Sequence, residues 1–142
     1  MSTCLVLGYD RTDSSRLAAD WAVKQLLPDG KLVIVHSNRP LRAPVVESAQ
    51  ERQRLGRALV DELLLEGGDS MFDVDVEVEV VEVDPVSAVC DAATRHGADA
   101  IVLGSERHSR LHTALGTVTV ELLKRSPVPV VVVPLTASIP IE

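Results

Sequence analysis

The sequence predicts an α/β protein with an open parallel sheet and helices on both faces, and three observations carry that reading. Five short apolar or alternating segments recur along the chain. Helix-like segments with capping and stop signals separate them. Four of the five are apolar throughout, the pattern of strands buried on both faces, and strands joined through helices pair in parallel.

The first strand is expected at Cys4 to Leu7, ended by Gly8 and followed by the polar turn Asp10-Arg11-Thr12-Asp13. Asp13 or Ser14 is the expected cap of a helix that buries Leu17, Ala18, Trp21 and Ala22 and stops at Pro28-Asp29-Gly30. Leu32 to Val35 reads as the second strand. Ser37 to Pro44 reads as a loop, and Leu55, Leu59 and Leu63 mark the stripe of a charged helix stopped by Gly67-Gly68. From Phe72 to Val80, Val74, Val76, Val78 and Val80 alternate with Asp73, Asp75, Glu77 and Glu79, predicting a strand with one wet face. Its acidic residues are read as guarding an exposed edge, not as a metal site. Val80-Val81 breaks the alternation and predicts a bulge or a change of environment.

Asp84-Pro85 is a capping carboxylate followed by proline at the first helical position, and His96-Gly97 is the matching stop. Ala100 to Leu103 reads as the fourth strand, ended by Gly104. A polar loop from Ser105 to His112 leads to Gly116-Thr117, a helix to Arg125, and a fifth strand at Val128 to Val133. The chain reads as a single domain over residues 1–142, with 136–142 a loose tail.

Composition narrows the function classes. A net charge of −7 argues against a nucleic-acid binder or an anionic-membrane binder, both of which need a positive surface. Aromatic residues are 2% of the chain, too few for a base-stacking platform. Cys4 and Cys90 form neither a CxxC pair nor a disulfide framework and read as free thiols of a reducing compartment. No apolar run approaches the roughly 18 residues of a membrane span, and no signal-peptide pattern opens the chain, so a cytoplasmic location is expected.

In such sheets ligands bind beyond the carboxyl ends of the strands, where strand order reverses. Three loops leave those ends: Gly8-Tyr9-Asp10, His36-Ser37-Asn38 and Gly104 to Thr117. Gly116-Thr117 opens a helix whose N–H groups suit a phosphate. Asp10 has a second reading as a turn residue holding the backbone near Thr12 and Asp13. His36 reads as a hydrogen-bonded structural residue. Arg107, His108, Arg110 and His112 crowd one loop, either as a solvated patch or as a phosphate-facing one. His108 and His112 have metal-compatible spacing but no third ligand fixed by sequence. No catalytic constellation emerges.

The segments Asp84-Pro85, His96 to Ser105, Leu115-Gly116-Thr117-Val118 and Pro127 to Val133, with Leu7 to Asp10 and Val35-His36, are similar in order and spacing to the universal stress protein family. The resemblance implies a Rossmann-like five-stranded parallel sheet of order 3-2-1-4-5 and a homodimer formed through the last strand, here Val128 to Val133. It also implies a stress-response role, with ATP or a related adenine nucleotide, accompanied by Mg, as a bound effector. Alternatives are a nucleotide-free dimeric module with an unidentified protein partner, and a slow nucleotide hydrolase. Nucleotide-binding members carry G-x2-G-x9-G-[S/T]. Here Gly104 matches the first glycine, Arg107 replaces the second, and eight residues separate Arg107 from Gly116. The loop is one residue short. Arginine lacks glycine's backbone freedom, yet its guanidinium is a good phosphate donor. Carried over residue by residue, the implied contacts are Asp10, Ser37, Gly104, Arg107, Gly116, Thr117 and Val118. Ser37 replaces an apolar residue beside the adenine.

Overall fold

The structure, a computed structural model, describes residues 2–37, 74–105 and 116–134, together with 50, 54, 57, 58, 61–63 and 65. Its elements run β1 (Cys4–Gly8), α1 (Asp13–Leu26), β2 (Lys31–Ser37), β3 (Asp75–Val81), α2 (Pro85–His96), β4 (Ala100–Gly104), α3 (Thr117–Arg125) and β5 (Val130–Val133). The described residues between 50 and 65 are helical, and Leu63 among them is buried. The five strands form one parallel sheet of order β3-β2-β1-β4-β5, as expected.

The sheet separates two aliphatic cores. Leu5, Leu7, Leu32, Ile34 and Val102 pack against Ala18, Ala22 and Leu26 of α1 on one face. Val6, Val33, Val35, Ile101 and Leu103 meet Val89, Ala92 and Leu122 of α2 and α3 on the other. Because alternate residues of one strand supply opposite cores, the apolar runs are explained by burial on both sides.

Local chemistry sets the boundaries. The cap of α1 is Thr12, not Asp13 or Ser14: its hydroxyl accepts from the Ser15 N–H at 3.2 Å, one residue earlier than the sequence suggested. Asp84 caps α2 by accepting from the Ser87 N–H at 2.9 Å. At the other end Gly97 takes a left-handed φ of 61°, its N–H reaching the Thr94 carbonyl, while the Ala98 N–H reaches Ala93.

Three expectations at the strands are refined. Pairing between β2 and β3 runs without interruption from Lys31↔Asp75 to Ser37↔Val81, so of the two alternatives at Val80-Val81 the change of environment holds and the bulge does not. Val81 instead puts an apolar side chain on the acidic face, where it packs against the α2-side core. The fifth strand begins at Val130 rather than Val128, because the Ser126 hydroxyl bonds both the N–H and the carbonyl of Val128 and holds it in a turn. β3 lies at the sheet edge as expected, but its acidic face is not simply wet: Glu79 is part-buried beneath the end of α2. Phe72, the Gly67-Gly68 stop, Leu55, Leu59 and the tail from 136 lie outside the described residues.

Candidate functional site

Strand order reverses between β1 and β4, and the first turn of α1 sits over that point. A Cβ at Gly104 would meet the Ser14 carbonyl and lie 2.7 Å from the Ser15 nitrogen, so only glycine lets β4 run beneath α1. Gly104 therefore has a packing reason independent of any ligand.

Asp10 is a turn residue here. Its Oδ1 accepts from the Thr12 N–H at 3.1 Å and from the Thr12 hydroxyl at 2.6 Å. Since the carboxylate only accepts, Thr12 spends its single hydroxyl proton there, and the contact at 3.1 Å to Ser14 Oγ is donated by Ser14. Between them Arg11 takes a φ of 74°, the one non-glycine residue with positive φ among those described. His36 is buried with Nδ1 2.9 Å from the Tyr9 carbonyl, which fixes the ring proton on Nδ1. It is a structural residue, as read from sequence.

Ser37 donates its hydroxyl to the Val83 carbonyl at 2.6 Å, tying the end of β2 to the turn after β3. Gly116 is the N-cap of α3 and, having no side chain, gives the opening amides of the helix no side-chain cap, and none comes from the described residues. The structure thus joins Asp10 and Gly104 through the start of α1 and places Ser37 and Gly116-Thr117-Val118 at element ends. Arg107, His108, Arg110 and His112 lie outside the described residues. Ser105 was not among the contacts implied from the sequence. Its N–H bonds Val133, while its buried Oγ has no hydrogen-bond partner among the described residues.

A second polar cluster sits on the α2 face of β3. Arg95 clamps Glu79 through two bonds of 2.6 and 3.1 Å and also bonds Asp91 at 2.8 Å. His96 Nε2 meets Glu79 at 2.7 Å, and Lys31 meets Glu77 at 3.1 Å and His96 Nδ1 at 3.4 Å. An ammonium can only donate, so Nδ1 accepts and Nε2–H donates to Glu79. The Arg95 guanidinium holds the Glu79 carboxyl below its ordinary range, against an opposing push from burial, with His96 adding to the lowering. Bonding to Glu77 raises Lys31, and bonding to Glu79 and Asp91 raises Arg95. The ligand atoms of Glu77, Glu79 and His96 lie within 4.8 Å of one another, but Lys31 and Arg95 already hold these carboxylates. The cluster is an ion-pair network fastening an edge strand to a helix end. Both cysteines are free, Cys4 buried and Cys90 partly so, and burial pushes both thiols up. Among the described residues no helix is long and apolar enough to cross a membrane.

The parallel sheet, the reversal between β1 and β4 and the uncapped helix start define the chain as a member of the open α/β class that carries ligand sites at its strand ends. The model of the Universal stress protein family matches residues 1–134, and the chain belongs to that family. No curated relative matches it. Among solved structures it resembles a universal stress protein in complex with cAMP, at 26% identity over 94% of this chain and 98% of that one, with a TM-score of 0.66. A universal stress protein from Archaeoglobus fulgidus in complex with dAMP is 18% identical over 94% and 98%, with a TM-score of 0.61. A family protein from Arabidopsis thaliana with AMP bound is 18% identical over 93% and 91%, with a TM-score of 0.62.

Proposed function

We propose that the chain binds an adenine nucleotide as an effector at the carboxyl ends of its strands. The observation that carries this reading is the N-terminus of α3, where Gly116 is the cap and no side chain among the described residues caps the first amides. The cAMP complex of the 26% identical protein supports the ligand class. Phosphates would rest on Gly116, Thr117 and Val118, with Gly104 beneath, Asp10 and Ser37 towards the nucleoside, and Arg107 as an added phosphate donor. Asp10 fits an orienting role better than magnesium ligation, because its Oδ1 already accepts two bonds from Thr12. Any magnesium would therefore belong to the phosphates. Asp10, Thr12 and His36 are all engaged in holding the backbone, which favours a bound effector over a substrate that is turned over.

A homodimer through β5 belongs to the same reading. Among the described residues the strand ends the sheet with one backbone edge unpaired, and it carries four valines. Free thiols fit a cytoplasmic setting. The reading as an interaction module without nucleotide has its own support: Val120 and Leu123 of α3 are 40% and 53% exposed.

Mass spectrometry of any small molecule released on denaturation, together with calorimetry against ATP, ADP, AMP and cAMP, tests the first reading. An adenine nucleotide released or bound below millimolar concentration is expected. No binding of any of the four would leave the interaction module.

A further inference from the structure

We infer that Arg11 is the residue that selects phosphorylated ligands at the proposed site, a role that rests on the nucleotide reading and goes beyond the contacts already assigned. Three independent observations meet at this position. Arg11 occupies the left-handed region at φ 74°, where a side chain is unfavourable and glycine or asparagine is the residue of choice. The turn itself does not require arginine, because both of its bonds run from Thr12 to Asp10. Arg11 is also an exposed cation with no hydrogen bond or ion pair among the described residues. Lys24, Lys31 and Arg95, by contrast, are all paired with carboxylates. Finally, it stands at the tip of the β1–α1 loop, beside the reversal of strand order where ligands of such sheets lie.

The local charge supplies the chemistry. Asp10 and Asp13 flank the loop in a chain of net charge −7, and Arg16 lies 3.6 Å from Asp13, so an anion approaching the β1–α1 loop still meets the Asp10 charge unless a further cation faces it. A guanidinium offers several N–H donors in a fixed fork suited to phosphate oxygens, and it stays charged at any physiological pH. Strained backbone persists where function requires it, and an unpaired arginine in a glycine position fits that pattern.

The test uses the full chain, Arg11→Gly and Arg11→Asn, with melting temperature and calorimetry as readouts and adenosine, AMP, ATP and inorganic tripolyphosphate as probes. Arg11→Gly should melt higher than the wild type, because strain is relieved, while its affinity for ATP falls about ten- to hundredfold, the scale of a charged hydrogen bond. Adenosine affinity should not change. Arg11→Asn, which tolerates the same backbone, should show the same loss of ATP affinity. If either variant binds ATP as tightly as the wild type, the selector role is overturned and the nucleotide reading survives. If the wild type binds tripolyphosphate but no nucleotide, and Arg11→Gly abolishes it, the selector role holds and the adenine reading fails. Absence of binding to every probe overturns both.

Discussion

Replacing Gly104 with alanine should be the most damaging single-methyl change in the described structure. The added Cβ would fall against the Ser14 carbonyl and 2.7 Å from the Ser15 nitrogen, both backbone atoms that cannot rotate aside. Restoring a normal separation of about 3.5 Å requires α1 to lift by roughly 1 Å. That shift would disturb Ala18, Ala22 and Leu26, which are at most 2% exposed against the sheet. Overpacking of this kind costs about 1–3 kcal/mol, and involvement of a whole helix places the expectation near 3. For a chain of this size that is a fall of about 9 °C in Tm. Gly97→Ala is the control: its Cβ meets nothing within 4 Å, and only the φ of 61° is unfavourable, so the loss should be about 1 kcal/mol. Thermal and urea unfolding followed by circular dichroism compare the two. If Gly104→Ala melts within a degree of the wild type, or above Gly97→Ala, the packing argument for this glycine is wrong.

Asp84→Ala removes the 2.9 Å cap on the Ser87 N–H and should cost about 1 kcal/mol in urea unfolding. Glu79→Gln should lower stability by about 1 kcal/mol at pH 7. Because the folded carboxyl is held below its unfolded value, that difference is fully present above about pH 5 and fades as pH falls through the folded value. Unfolding at pH 7, 4 and 3 would show it, and an unchanged difference at pH 3 would contradict the assignment. Val132→Lys places a charge on β5 at a valine that packs in neither core, and should shift the proposed dimer to monomer in sedimentation. An unchanged dimer would move the interface elsewhere.

The sheet order came from a resemblance, but the elements were legible from chemistry. Asp84-Pro85 and His96-Gly97 announced both ends of α2 because capping and left-handed termination are written in adjacent residues. Thr12 was overlooked as a cap because Asp13 and Ser14 are equally good capping residues, and the choice depends on Asp10 engaging the threonine hydroxyl. The acidic face of β3 was read as wet because alternation reports periodicity, not the distant Arg95 and His96 that cover it. At the candidate site the glycines were visible, whereas the reason for Gly104 was not. That reason is the approach of residues 14 and 15 across ninety positions of chain, which no local pattern records.

The central position of β1 has a consequence for the order in which the protein is made. Its first neighbour, β2, follows it closely, but its second, β4, pairs Leu5 with Ala100 and is synthesised much later. A chain emerging from the ribosome therefore carries β1 with one side open until residue 100 and beyond are available. Such a long-range closure slows folding, and the reversal point exists only once it is complete. A ligand seated there would touch both the early and the late part of the chain, and would hold the seam shut by mass action.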